Sequence, residues 1–255
     1  MTPNTFKSIL MAISTNSIIH YTSSYKALIS ILKEGFRIQY CLERLKLHRE
    51  TSTAAHPMVS FCDIPLSDST QHFAAYGRYG IGLSKEWAIA NGVNPVIYID
   101  QKSLFAKCIQ EFILERGKKG TNLTAKQKGE ILRIKSYAKN YSGLLKRKSI
   151  NNPEYRFYDE REWRLVPGKE TISNTNFSVG ASHYRKDKDK YNAKLAQYRI
   201  KFSPTDISYI IVKNTNQIPK MINFLRSTYN KKCTADELDV LFSKICSTEQ
   251  IIADY

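Results

Sequence analysis

The chain has 255 residues, 42% of them hydrophobic, and a formal net charge of +16, a length that suffices for one large domain with a full core. No apolar run approaches the length of a membrane span and Met1–Lys7 lacks a signal-peptide pattern, so a soluble cytoplasmic protein without a membrane partner is predicted. Five widely spaced Cys without a C-x-x-C pair, and five His without H-x-x-x-H or H-E-x-x-H spacing, argue against a zinc ribbon, a redox motif and a metal site.

Residues 17–22 read as a strand. Ser24 then caps a helix with Ala27, Leu28, Ile31 and Leu32 on its apolar face and Gly35 at its end. Residues 37–57 read as polar and irregular. Met58–Cys62 is a second strand, with Cys62 buried, followed by a short helix over about 66–76. Tyr79–Ser84 is a strand, Ser84 caps a helix to Asn91, and Pro95–Ile99 is a further strand. Ser103 opens a long helix with Leu104, Phe105, Cys108, Ile109, Phe112 and Ile113 on one face, which places Cys108 in the core. A second helix follows over about 124–142. These two read as a basic helical insertion, about 101–150, in a single domain spanning 1–255.

Beyond the strand at 161–166, the hydrophilic stretch of about 167–194 reads as a flexible basic loop. A strand over 196–202, the strand Ser208–Val212 and a helix over 217–229 come next. The last helix opens at Thr234 and Glu237, which have the spacing of a capping box.

Charge is concentrated in the middle. Residues 101–201 hold 24 Lys and Arg against 10 Asp and Glu; the remainder holds 15 against 13. Aromatics interleave with this charge, and basic residues neutralise phosphates while aromatics stack on bases. Lys135, Lys139, Lys146, Arg147, Lys148, Arg185 and Lys186 are the candidate nucleic-acid contacts; a solvated helix face with a loop is the plainer reading of the same residues.

Several chemistries lack their motifs. There is no G-x-x-x-x-G-K-[ST] and no G-x-S-x-G, and Gly80-Ile81-Gly82 is only a fragment of a dinucleotide fingerprint. Glu160 and Glu162 would share a strand face, as in a metal-dependent nuclease, but the further acidic ligands are missing. His20 at the end of its strand, and Glu162 opening the apolar run Trp163-Arg164-Leu165-Val166, read either as a core histidine and a structural ion pair or as two parts of one site.

The order of these segments resembles AbiGi-type proteins of abortive phage resistance, a family often labelled an antitoxin. The resemblance rests on His20-Tyr21-Thr22, Ile31-Leu32-Lys33-Glu34-Gly35-Phe36, Phe61-Cys62-Asp63-Ile64-Pro65-Leu66, Tyr76-Gly77-Arg78-Tyr79-Gly80-Ile81-Gly82-Leu83 and Glu162-Trp163-Arg164. More distantly, the layout is similar to DarT-like DNA ADP-ribosyltransferases. That likeness implies an α+β fold, an ADP-ribosyltransferase-like split β-sheet with surrounding helices, and NAD as substrate without a metal. It implies catalytic roles for Glu162 and His20 and NAD contacts at His20, Tyr21 and Thr22, with Arg49 on a phosphate. Ser60 and Phe61 stand where many such enzymes carry a Tyr, which leaves Phe61 or Tyr76 to stack on nicotinamide. The expected function is a toxin of phage defence that modifies nucleic acid, RNA before single-stranded DNA, opposed by a cognate antitoxin protein. The alternative is a non-catalytic antitoxin or RNA-binding partner on the same scaffold.

Overall fold

Ile18 and Ile19 are both fully buried, one in each of two apolar clusters, so Ser17–Thr22 (β1) is an interior strand with core on both faces. Ser24 caps the following helix, α1 (Tyr25–Glu34), by accepting from the Ala27 N–H. The computed structural model describes residues 15–147, 150–173 and 175–254.

Residues 37–57 are not irregular. They form most of an antiparallel pair, β2 (Gln39–Lys46) and β3 (Thr51–Cys62), in unbroken register from Gln39↔Met58 to Lys46↔Thr51. β2 buries Tyr40 in the main cluster and Leu45 in a third. These positions are five apart and so point to opposite faces, which leaves no period of two to read. Pro57, a residue that argues against a strand, lies opposite Tyr40.

The next elements follow expectation: a 3-10 turn with α2 (Thr70–Tyr76), then β4 (Tyr79–Ser84), the Ser84-capped α3 (Lys85–Ala90) and β5 (Ile97–Ile99). The region at 101–150 differs in two ways. Helix α4 (Leu104–Gly117) buries only the narrow strip of Ala106 and Ile109, whereas Leu104, Phe105, Phe112 and Cys108 are exposed. Helix α5 (Ala125–Tyr137) stops early, and the chain turns into strands β6 (Ala138–Asn140), β7 (Ser142–Arg147) and β8 (Ile150–Arg156). Strand β6 pairs in parallel with β5, and β7 pairs with β8.

Strand β9 (Glu162–Leu165) appears where expected. The stretch at 167–194 is structured: Val179–Gly180 pairs with β3, and α6 (Ala181–Lys186) and α7 (Lys188–Lys194) follow. Tyr184 anchors it by donating to the Tyr40 carbonyl, and the Asn192 side chain accepts from the Tyr40 N–H. The strand expected at 196–202 is only Arg199–Ile200, paired with Phe36–Arg37. Strand β10 (Ile207–Val212) and helices α8 (Ile218–Tyr229) and α9 (Ala235–Ser243) agree with the pattern. Strand β11 (Ile245–Ser247) and helix α10 (Thr248–Asp254) were not foreseen.

The main sheet runs β11–β10–β4–β1–β3–β9, with Asn94–Pro95 beyond β9; only β10 and β11 are parallel. Helices pack around it in a mixed α+β architecture. Strands β1 and β3 share a single pair, Ile19↔Cys62, whereas β1 and β4 share six. The N-terminal half of β3 pairs with β2 instead. The site opens at this parting of β1 from β3.

Candidate active site

A cavity of about 530 Å³ lies at the parting and is lined by His20, Thr22, Ser60, Lys139, Glu160 and Glu162, among others. That volume is ordinary for a small-ligand site. Ile19, Cys62 and Glu162 are in direct register across three strands, so their side chains share one face of the sheet. His20, next along β1, therefore points to the other face, where its ring meets Phe36 and Phe61 edge-on at 5.3 and 5.9 Å. The two residues come to one cavity because the strands have separated between them. Ser60 joins them: its carbonyl lies 2.8 Å from His20 Nδ1, and its hydroxyl donates to Glu162 Oε1 at 2.7 Å.

Glu162 is the centre of a buried charge network. Oε1 also accepts from Arg164 Nε at 2.7 Å; Oε2 accepts from Lys139 Nζ at 2.7 Å and from an Arg164 terminal nitrogen at 3.2 Å. Arg164 is fully buried and makes further bonds to Glu43 at 2.8 Å and to the Ser136 carbonyl at 2.8 Å. Lys139 is shared, with Glu160 Oε2 at 2.5 Å, and the Tyr76 hydroxyl donates to the other Glu160 oxygen. Arg161, between the two glutamates, is left-handed at φ 42°, a conformation uncommon outside glycine and asparagine. This kink joins a 3-10 turn to β9 and still leaves both carboxylates on one ammonium. Lys139 itself is placed by Asn140, whose amide exchanges bonds of 2.7 and 2.8 Å with the Lys46 backbone at the end of β2.

Electrostatics follow from this packing. Burial pushes the Glu162 pKa upward, but Arg164 and then Lys139 outweigh it and hold the carboxyl well below its usual range. For Lys139, burial works against the charge and the two glutamates overcome it, so the ammonium persists far above neutral pH. His20 is pushed down by burial, which the Ser60 carbonyl only partly offsets. It is therefore neutral at pH 7. A carbonyl only accepts, so the proton sits on Nδ1, and Nε2 carries a lone pair.

Other expected contacts fall elsewhere. The Tyr21 ring packs on Phe73 at 5.6 Å and its hydroxyl bonds Ser69 at 2.8 Å, so that group is committed on the opposite face from His20. Phe61 is 1% exposed with its edges on His20, Phe36 and Trp87, and it presents no free ring face. The Tyr76 ring is stacked by His72 at 5.8 Å and has the Arg147 guanidinium 4.4 Å from its centroid. The expected stacking of nicotinamide on Phe61 or Tyr76 is thus not available. Arg49 lies on the β2–β3 turn, bonded through its N–H to Gln110, and is not among the cavity residues; Arg37, Arg147 and Arg199 are. Of the expected nucleic-acid contacts, Lys135 is buried, with its pKa pushed down to about 8 by burial and by Arg116, and Lys139 is consumed by the two glutamates. Lys146, Arg147, Arg185 and Lys186 are exposed; Lys148 lies outside the described residues.

Sequence reasoning allowed an ion pair between Glu162 and a nearby Arg, but missed that Lys139 joins Glu160 to Glu162. The signal available was the Glu160–Glu162 spacing; nothing in the sequence tied Lys139 to it. Among the described residues, no group of three or more His, Cys, Asp or Glu is placed to hold a metal ion, and no helix is long and apolar enough to cross a membrane.

Fold and site together define a mixed α+β protein whose buried ionic chemistry gathers at one cleft. Residues 34–213 match the family described as "Putative abortive phage resistance protein AbiGi, antitoxin", more than two thirds of the chain, and the chain belongs to that family. Ser60, Lys139 and Glu162 fall within the matched span and His20 just before it. The chain is also similar to the abortive phage resistance protein AbiGi of Lactococcus lactis subsp. cremoris, at 26% identity over 243 residues, covering 84% of this chain and 96% of the relative. No solved structure matches significantly.

Proposed function

We propose that the cleft binds NAD and transfers ADP-ribose to nucleic acid, RNA before single-stranded DNA, in abortive phage resistance. The observation that carries this reading is Ser60 bridging His20 and Glu162 at one cavity. In the proposed reaction the ribose–nicotinamide bond breaks, and its electron pair leaves with nicotinamide. A nucleophilic atom of the acceptor closes the new bond to the sugar and gives up its proton to water. Positive charge develops on the sugar in the transition state, and a preorganised carboxylate beside it is stabilising. A carboxyl held as acidic as Glu162 suits that electrostatic role and is a poor base. The donor set fits the substrate in part: the His20 Nε2 lone pair can accept from a ribose hydroxyl, and Arg37, Arg147 and Arg199 suit a pyrophosphate. An ADP-ribosyltransferase-like split sheet is the fold counterpart of the same proposal, supported by the parting of β1 from β3.

A non-catalytic antitoxin is the second reading. It is favoured by both Glu162 oxygens already having protein donors, and by the family description. One experiment separates the two. The purified protein is incubated with NAD labelled on its adenylate half, together with separate RNA, DNA and protein pools. Label is expected in RNA, and none with Glu162→Gln at matched folding by circular dichroism. Label in no pool overturns the transferase.

A further inference from the structure

The β7–β8 hairpin joins no other strand among the described residues, yet an aromatic row runs from it to the cleft. Tyr141, just before β7, is 38% exposed, and Tyr158, just after β8, is 47% exposed. Their rings lie 5.7 Å apart at 31°. Tyr158 also meets Tyr98 at 5.2 Å, edge to face. The Tyr98 hydroxyl in turn accepts the backbone N–H of Glu162 at 2.8 Å. Wet rings at one end thus connect, through two ring contacts and one hydrogen bond, to the residue at the centre of the cleft.

The two rings are half exposed and in contact, and exposed cations lie further along the same hairpin. Lys146 and Arg147 are exposed five and six residues beyond Tyr141, at the other end of β7. As neighbours on a strand they face opposite ways, and Arg147 lies on the Tyr76 ring and lines the cavity. Arg156, at the end of β8, is held by Asp159 at 2.7 Å, so it contributes less free charge. A single strand lying along the hairpin can set unpaired bases on the rings and its backbone on the cation further along, whereas a duplex keeps its base faces covered. An acidic protein partner would use the same cations but would gain little from the ring faces.

We infer that Tyr141 and Tyr158 form a stacking platform for single-stranded nucleic acid, with Lys146 on its phosphates, and that it delivers the strand to the cleft. This deepens the transferase reading and rests on it for the delivery step, although binding to the platform does not require NAD.

The test is fluorescence anisotropy of the full chain with labelled single-stranded RNA, single-stranded DNA and duplex oligonucleotides. Single strands should bind more tightly than duplex. Tyr158→Ala should weaken binding about 5- to 150-fold, the range expected for one stacked base. Tyr158→Phe, which keeps the ring, should bind as the wild type. Lys146→Ala should weaken all sequences alike and flatten the salt dependence. Equal binding by the wild type and Tyr158→Ala, or preference for duplex, overturns the platform; a folded Tyr158→Phe that also loses binding does the same. NAD binding is measured separately by calorimetry. Failure there with stacking intact removes the transferase and leaves the platform, and the converse result removes the platform alone.

Discussion

At the scale of single residues, most of the buried charge lies in one network, with Asp63 and Lys135 buried apart from it. Glu162, Glu160 and Glu43 face Lys139 and Arg164 in a network closed at nearly every donor, and removing one member of such a set typically costs about 3–5 kcal/mol. Two buried histidines, His56 and His72, and the partly buried His20 tell a different story. His56 is wholly buried with neither ring nitrogen partnered, and its pKa is pushed down to about 3 by burial, then by Lys135 and Arg164. His20 and His72 are lowered too, chiefly by burial. A lowered histidine pKa means the unfolded chain binds the proton first. Stability is therefore full above the unfolded value, near pH 6.5, and falls as pH drops from there towards 3, at about 1.4 kcal/mol per pH unit for one such group. Urea unfolding from pH 7 to pH 4 should show this loss, and His56→Phe should make the slope shallower. An unchanged slope in that variant would assign the acid sensitivity elsewhere. A core histidine and an ion pair at Glu162 were among the readings the sequence allowed; His56, His72 and the extent of the network were not. The sequence placed Glu162 and His20 at strand ends, with Arg164 two residues on, but burial and the more distant partners Lys139 and Glu43 are set by packing across about 20 to 120 residues.

Elements with strong local signals were legible, and those held by distant contacts were not. Ser24, Ser84, Ser103, Thr124 and Thr234 all cap helices by accepting a backbone N–H, because capping is decided within four residues. β2 was missed because it buries one residue per face, and α6 because its anchor, Tyr184, bonds to a carbonyl 144 residues away. The stripe on α4 was read correctly as apolar and wrongly as core, since a pattern does not say what covers it. One glycine matters directly to the cleft. Gly77 closes α2 at φ 121°, and a Cβ there would lie 2.4 Å from the Thr22 carbonyl oxygen and 2.5 Å from the Ser23 Cα. Gly77→Ala should push back the end of β1 that carries His20. We expect a loss of stability of about 2 kcal/mol or more, seen as a lower melting temperature, with weaker ligand binding at temperatures where the variant is still folded. A melting temperature equal to the wild type would show that the turn yields.

For the whole molecule, the sheet order departs furthest from chain order. β1 is central and β4 lies beside it, but the outer edge of β4 is covered by β10, which is made more than 120 residues later. Ile210, Ile211 and Val212 are completely buried there. Ending the chain at residue 203 should therefore expose a long apolar edge and give an aggregated protein without a cooperative melt; a soluble fragment that melts sharply would divide the chain into two units. The mixed α+β class agrees with what the resemblance implied. The nine-stranded connectivity was not foreseen, because strand partners chosen across such distances leave no local trace.

The late arrival of β10 has a consequence for how the protein is made. His20, Ser60, Lys139 and Glu162 have all been synthesised by the time β9 is complete, yet the strand that carries His20 leans on β4, whose other side waits for residues 207–212. A chain released between residues 200 and 206 would hold the cavity's side chains without the strand that backs β4. On the prediction above, synthesis through residue 212 is a condition for the site to form, so nascent chains shorter than that should not bind a cleft ligand.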